Sequence, residues 1–166
     1  MEKMSETEAT ARCRSVEETQ RLAARLAALV AAGDVLCLFG DLGAGKTCFT
    51  KGLVAGLGGD ADECTSPTFV LMQIHRGRLP VYHFDAYRLR AAREMIDLGS
   101  DEILAADGVS VIEWADRVPE ALPADRLEIY FAVAGAEERV LRFVGRGMRA
   151  AGVVGELISQ GVVETI

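Results

Sequence analysis

The chain has 166 residues, half of them hydrophobic, with a formal net charge of −7 at pH 7 and a pI near 4.9. This length predicts one domain built on a single core. The acidic balance argues against a protein that grips nucleic acid through a broad basic face. The polar start lacks the apolar segment of a signal peptide, and no apolar run is long enough to span a bilayer, so we expect a soluble cytoplasmic protein without membrane contact.

The first predicted elements follow a polar segment, residues 1–13, which we expect to be loosely ordered or peripheral. Ser15 and Glu18 have the spacing of a capping box, which predicts that a first helix begins here. The short apolar run Val35–Phe39 is typical of a strand that is buried on both faces.

A glycine-rich loop follows this strand. Residues 40–47 match the phosphate-binding pattern G-x-x-x-x-G-K-[ST] and lead into a helical run. Glycines allow close backbone approach to an anion, Lys46 would reach the β/γ-phosphates, and Thr47 would ligate Mg²⁺. A dinucleotide fingerprint is excluded because position 48 is cysteine. The residues expected to contact the nucleotide are Asp41, Gly43, Ala44, Gly45, Lys46, Thr47 and Cys48.

The second half of the chain predicts strands on both sides of this unit. Residues 68–74 and 80–87 read as a hairpin around a turn at 76–78, so the sheet cannot be purely parallel. Residues 91–106 look helical with a break at Gly99, and 109–114 read as a mostly apolar strand. A second hairpin is expected from 127–134 and 139–144. From about 147 onward we expect a peripheral tail with a short helix.

Two carboxylates are placed to serve the glycine loop. Glu113 ends an apolar strand, as a Walker-B-type acid that completes a Mg²⁺ site would. Asp85 lies late in another strand, where it could orient water or contact the metal through water. Pairing of Asp85 with an arginine such as Arg88 remains an equal interpretation.

Two further features stay open between functional and structural interpretations. The hydroxyl-rich segment that contains Ser66 and Thr68 is compatible with a switch that follows the γ-phosphate, or with a proline turn. Trp114, the single tryptophan, could pack in the interior or face a partner. The four cysteines show no C-x-x-C spacing, and we do not expect His75 and His83 to complete a zinc set with them.

Taken together in chain order, these motifs resemble the TsaE (YjeE) family, the small ATPases of bacterial tRNA threonylcarbamoyladenosine modification. The resemblance covers most of residues 15–144. Two positions depart from the family: Cys48 stands where a second threonine is frequent, and His75 where an aromatic residue, usually tyrosine, is frequent. The matching segments are residues 40–47, 65–69, 83–89, 98–99 and 111–114.

The resemblance implies a single α/β P-loop NTPase domain over residues 1–166, with a mixed sheet that is parallel at its centre, antiparallel strands at its flanks and helices on both faces. It implies ATP and Mg²⁺ as cofactors and TsaD and TsaB as partners, with tRNA met only indirectly through the complex. The implied catalytic residues are Lys46, Asp85 and Glu113, and the implied metal ligands are Thr47 and Glu113. Thr19 would approach the nucleotide, and Ser66, Thr68 and Trp114 would act in switching and coupling.

Three other kinds of protein use the same loop. A GTPase is disfavoured because the chain has neither an [NT]-K-x-D element nor a D-x-x-G motif. A P-loop kinase for a small metabolite is the stronger rival, with Asp85 as base, although we locate no arginine-bearing lid between 89 and 126. A nucleotide sensor without turnover is the third. The source of an arginine finger stays open among Arg88, Arg117 and a partner.

Overall fold

A mixed sheet of eight strands organises the chain, of which the computed structural model describes residues 5–64, 72–104 and 106–166. The strands are β1 (Glu6–Cys13), β2 (Val35–Phe39), β3 (Met72–His75), β4 (Val81–Asp85), β5 (Val109–Glu113), β6 (Arg126–Val133), β7 (Arg139–Arg146) and β8 (Glu164–Thr165). The helices are α1 (Val16–Ala27), α2 (Lys46–Gly56), α3 (Ala92–Asp97), α4 (Ser100–Leu104) and α5 (Met148–Ser159).

The strands lie in the order β3-β4-β5-β2-β6-β7-β1-β8. Strands β4, β5, β2 and β6 are parallel neighbours, and β3 pairs antiparallel with β4. On the other side, β7, β1 and β8 are added by antiparallel pairing. The prediction of a sheet that is parallel at its centre and antiparallel at its flanks is confirmed.

Helices cover both faces of the parallel centre. On one face α1, α2 and α5 enclose a core that includes Leu36 and Leu38 of β2, and on the other α3, α4 and two 3₁₀ turns pack against Val35 and Cys37. Because alternate residues of a strand point to opposite faces, the apolar run of β2 is buried on both sides. No helix within the described residues is long and apolar enough to cross a membrane.

Small residues let α1 and α2 pack very closely. A Cβ added at Gly52 would lie 2.5 Å from the carbonyl oxygen of Gln20, and one at Gly56 would lie 2.7 Å from Cβ of Ala27. Real side-chain carbons do not approach other atoms this closely, so glycine is needed at both positions of α2. The close contact brings the start of α1 next to the start of α2, where Cys48 Sγ lies 3.8 Å from the carbonyl oxygen of Val16.

For residues 6–13 the expectation of a loosely ordered start is wrong, since they form β1 between β7 and β8. The inward side of β1 carries only small residues, Ala9 and Cys13, and they are almost completely buried. Its outward side is polar, and Glu6 pairs with Arg146 at 2.6 Å. Because its two sides differ little in hydrophobicity, the sequence of β1 resembles a polar tail. The strand is stabilised by its pairing with β7 and not by a strong pattern of its own.

The expectation of a peripheral segment after residue 147 is also wrong. Helix α5 contains the short helix that the pattern predicts, but Val153, Val154 and Leu157 are buried in the main core. The last strand, β8, then pairs with β1. At the start of α1 the capping differs in detail, because Ser15 Oγ accepts from the Glu18 amide while the Glu18 carboxylate accepts from Arg14 rather than Ser15.

A polar network occupies the sheet face of β6 and β7 opposite α5. Glu128, 3% exposed, accepts hydrogen bonds from Arg126 at 2.9 Å, Arg146 at 2.8 Å and the Tyr130 hydroxyl at 2.9 Å. Burial alone would raise the pKa of Glu128, but these three donors outweigh it and hold the pKa below its usual range. The carboxylate is therefore stabilised as an anion in the folded state.

We predict that Gly52→Ala destabilises the protein by about 1–3 kcal/mol, because the new methyl group cannot fit beside Gln20 without a backbone shift. The matched control is Gly152→Ala in α5, where nothing lies within 4 Å of the added carbon. That change should stabilise by up to about 1 kcal/mol through helix propensity. Urea unfolding of both variants checks this, and equal stabilisation by the two changes would refute the close packing of α1 and α2.

We predict that Glu128→Gln lowers the free energy of unfolding at pH 7 by roughly 1–3 kcal/mol, since two guanidinium groups lose their anion. The folded pKa of Glu128 lies below the unfolded one, so its contribution is present above about pH 4.5 and disappears as pH falls through the folded pKa. The difference between wild type and variant should therefore shrink in acid.

The control for this prediction is Glu138→Gln, which removes a carboxylate that pairs with Arg12 on the surface. Exposed pairs contribute less than about 1 kcal/mol. Urea titrations at several pH values measure both variants, and a Glu128→Gln deficit that is independent of pH would contradict the assignment.

Candidate functional site

The loop Gly40–Thr47, called the P-loop below, connects the carboxyl end of β2 to the start of α2. Gly43 and Gly45 have φ values of 79° and 108°, which side chains of L-residues rarely tolerate. Gly45 caps α2 without a side-chain hydrogen bond within the described chain. The first amides of α2 thus remain available to an anionic ligand, whose charge the helix dipole favours.

Lys46 is held at the centre of this loop by three contacts. Its ammonium group donates to the carbonyl oxygens of Gly40 and Asp41, the latter at 3.2 Å, and lies 3.7 Å from the ring centroid of Trp114. Only 5% of the residue is exposed. Burial lowers the pKa of Lys46, against the opposing effect of nearby carboxylates, first of all Glu113.

Thr47 and Glu113 form a hydroxyl and carboxylate pair beside Lys46. The Thr47 hydroxyl donates to Glu113 Oε1 at 3.3 Å, and Glu113 Oε2 contacts His83 Nε2. The pair forms because β5 lies parallel to β2, with Glu113 opposite Leu38. A hydroxyl and a carboxylate oxygen are the donors that Mg²⁺ prefers, so these two residues fit a Mg²⁺ site.

Asp85 lies at the end of β4, opposite Glu113 in the parallel register. Its Oδ1 accepts a hydrogen bond from the Tyr87 amide at 2.9 Å. Burial raises the pKa of Asp85, and the negative charge of Glu113 adds to the effect, although the Tyr87 amide and Lys46 oppose it. The structure therefore brings together Lys46, Thr47, Glu113 and Asp85 as the sequence predicts.

Trp114 has a left-handed backbone, with φ 58° and ψ 41°, and is the one non-glycine residue with positive φ in the described part of the chain. Its ring centroid lies 4.9 Å from that of Tyr87, and the Arg117 guanidinium lies 5.2 Å from the Tyr87 ring. Strained backbone at a site costs about 1–3 kcal/mol and persists where the surroundings enforce it. In this protein the residue with the left-handed backbone is also the one whose indole lies against Lys46.

Arg139 at the start of β7 is a site residue that the sequence reasoning missed. Its guanidinium donates to the P-loop carbonyls of Ala44 at 3.0 Å and Gly43 at 3.2 Å, and also to Gly135 and Glu138 in the β6–β7 turn. These bonds tie the turn to the loop. No motif marks such a residue, because the contact joins positions almost a hundred residues apart.

The side chains of Thr19 and Cys48 are bonded within or towards α1, and two other predicted site residues lie outside the described part of the chain. Thr19 is 2% exposed, and its hydroxyl donates to the Ser15 carbonyl at 3.3 Å within α1. Cys48 lies just past the loop but its thiol points to Val16 of α1. Ser66 and Thr68 lie outside the described residues. The roles proposed for these residues stay predictions.

The structure also shows a grouping of ligand-type side chains that the spacing along the sequence does not predict. The sequence does not lead us to expect a zinc set, but the structure brings Cys64, His75 and His83 together, with ligating atoms within 4.8 Å of one another. The hairpin β3–β4 places the two histidines on neighbouring strands, and the chain that leaves α2 delivers Cys64 to them. Ligand spacing along the sequence cannot reveal a cluster that forms through strand pairing.

The protein has a P-loop NTPase-like fold. A glycine loop with positive φ values connects a buried parallel strand to a helix, and the adjacent strand carries an acidic residue. A crystal structure of YdiB from Bacillus subtilis shares this fold. It superposes with a TM-score of 0.78 at 38% sequence identity, over 97% of this chain and 99% of that one.

Sequence comparison assigns the family. The family model "Threonylcarbamoyl adenosine biosynthesis protein TsaE" matches residues 13–141. The TsaE protein of Bacillus subtilis is 46% identical over 80% of this chain and 83% of its own length, and that of Treponema pallidum is 46% identical over 66% and 81%. The chain belongs to the TsaE family.

Proposed function

We propose that this protein is the ATP-binding and ATP-hydrolysing subunit of the machinery that makes threonylcarbamoyladenosine in tRNA, acting in the cytoplasm with TsaD and TsaB. Family membership supports the role in this pathway, because the related proteins are named for threonylcarbamoyladenosine biosynthesis. The observation that carries the ATPase activity is the convergence of Lys46, Thr47, Glu113 and Asp85 at the P-loop.

Each of these residues has a separable task in the proposed reaction. The amides at the start of α2 bind phosphate oxygens, and Lys46 leaves the Trp114 ring to meet the β- and γ-phosphates. Thr47 and Glu113 would hold Mg²⁺, and the ion would supply positive charge to offset that of the phosphates. Asp85 orients the attacking water, and its raised pKa suits a group that accepts a hydrogen bond from that water.

The charge of the chain supports a division of labour within the complex. A net charge of −7 disfavours direct binding of a long polyanion, so tRNA would be held by TsaD and TsaB rather than by this subunit. ATP is bound at a local cluster of amides and one ammonium group, which does not need a basic surface. The acidic surface and the nucleotide site are therefore compatible.

We expect Lys46→Ala to weaken ATP binding about 10- to 100-fold, because charge-assisted hydrogen bonds contribute about 1.5–3 kcal/mol each. Lys51→Ala, five positions further along the same helix, is the matched control and should bind normally. Calorimetry measures both. Trp114 emission gives a second readout, since it should change when ATP draws Lys46 off the ring in the wild type. Unimpaired binding by Lys46→Ala would refute the assignment of the lysine.

We expect slow Mg²⁺-dependent ATP hydrolysis by the chain alone and faster hydrolysis with TsaD and TsaB. Asp85→Asn should lower turnover by about 10²–10⁴-fold while ATP affinity is retained, because the change removes a base but keeps a hydrogen-bond acceptor for Tyr87. The control is Asp97→Asn, which affects only a surface pair with Arg93. Phosphate release is the measurement.

The alternatives give different results in the same assay. ATP turnover that is unchanged by TsaD and TsaB but rises with a small hydroxylated metabolite would favour a P-loop kinase. ATP-dependent binding to the partners without any turnover would favour a sensor, and in that case Asp85→Asn would have no effect.

A further inference from the structure

A second cluster of ligand-type side chains lies next to the P-loop site and is linked to it through the contact of His83 with Glu113. Cys64 follows the 3₁₀ turn after α2, His75 ends β3, and His83 lies within β4. In the antiparallel register His75 pairs with Val81, two residues before His83, so the imidazoles are diagonal neighbours. Their ring centroids are 5.7 Å apart, and one ligating atom of each of the three residues lies within 4.8 Å of the others.

The cluster is sealed from solvent, with Cys64 and His83 at 0% exposure and His75 at 4%. Nε2 of His75 and Nδ1 of His83 are buried and have no hydrogen-bond partner among residues 5–64, 72–104 and 106–166. A buried polar atom without a partner costs about 1–3 kcal/mol, and native proteins rarely keep two side by side. A ligand that bonds to both nitrogens would remove this cost.

Glu113 determines which nitrogen of His83 is free. A carboxylate only accepts hydrogen bonds, so the contact of Glu113 Oε2 with His83 Nε2 requires the proton on Nε2. In the neutral ring the lone pair is then on Nδ1, which is the unpartnered atom. Burial also lowers the pKa of His75, which favours the neutral imidazole with a free lone pair.

We propose that Cys64, His75 and His83 bind a Zn²⁺ ion. One thiolate and two imidazoles form a donor set typical of zinc, and three protein ligands leave a fourth tetrahedral position for water or another small ligand. Zinc bonds of about 2.0–2.3 Å separate neighbouring ligand atoms by roughly 3.3–3.8 Å, so side chains whose ligand atoms lie within 4.8 Å of one another need to move by no more than about 1–1.5 Å to hold the ion. Burial raises the pKa of Cys64 to about 11, and the thiol proton passes to solvent when the ion binds.

This site is chemically distinct from the Mg²⁺ site proposed at Thr47 and Glu113. Sulfur and nitrogen donors select zinc, whereas a hydroxyl and a carboxylate select Mg²⁺. The two sites meet at His83, which would bind zinc through Nδ1 and donate Nε2–H to Glu113. Such a carboxylate–imidazole–metal arrangement fixes the tautomer and the ring orientation. Zinc would thus hold His83 in the position that orients Glu113, while zinc binding itself needs no nucleotide.

The test uses the untagged full-length chain, stripped with a chelator and titrated with Co²⁺ without nucleotide. We expect one equivalent to bind with thiolate-to-cobalt charge-transfer absorption and tetrahedral d–d bands, and Zn²⁺ to displace it. Lack of the charge-transfer absorption at one equivalent overturns the proposal, whatever the variants do. Binding without sulfur ligation, at exposed carboxylates, would give only weak octahedral spectra and also overturns it.

Variants then assign the ligands. Cys64→Ser and His75→Phe should each weaken Zn²⁺ binding at least 10- to 100-fold in a chelator competition, whereas Cys13→Ala should bind as the wild type. Cys13 is a fair control because it is also buried but lies on β1, at the opposite side of the sheet. Circular dichroism verifies folding, and Zn²⁺ should raise the unfolding temperature of the wild type and of Cys13→Ala only. Equal Zn²⁺ affinity in Cys64→Ser and wild type would refute the site.

Discussion

The burial of Glu113 is the constraint on which the site depends. The residue is 3% exposed, and a buried carboxylate is tolerated only where other groups compensate for its lost hydration. Thr47 from the P-loop and His83 from β4 supply the hydrogen bonds, and Lys46 supplies a positive charge close enough to interact with Glu113. One carboxylate therefore ties together the P-loop, the central strand β5 and the β3–β4 hairpin, and disturbing any of them alters the environment of the others.

The neighbouring elements position these groups by backbone geometry. The parallel pairing of β2, β5 and β4 aligns their carboxyl ends, so the P-loop, Glu113 and Asp85 meet at one edge of the sheet. Glycines in α2 allow α1 to pack closely against the helix that carries Lys46 and Thr47. Arg139 holds two carbonyls of the P-loop from the other side. The loop is thus supported by a helix on one flank and by a strand on the other.

The sequence predicts the local parts of this arrangement and misses the long-range ones. The P-loop, the strand that ends in Glu113, both hairpins and the helix pair after Leu89 follow from patterns within a few residues, and all are present. Strand β1 was missed because its inward residues are small, so its stability comes from β7 and not from its own composition. Arg139 and the cluster of Cys64, His75 and His83 form through tertiary contacts between segments that share no motif.

The position of His83 would allow the proposed Mg²⁺ and Zn²⁺ sites to lie side by side in one small core. A neutral imidazole has one nitrogen that donates and one that accepts, and here the donor faces Glu113 while the acceptor remains without a protein partner in the described chain. A metal ion satisfies the acceptor without moving the proton from the Glu113 side. The orientation of the His83 ring would then serve both purposes: it points Nδ1 at the metal ion and Nε2–H at Glu113.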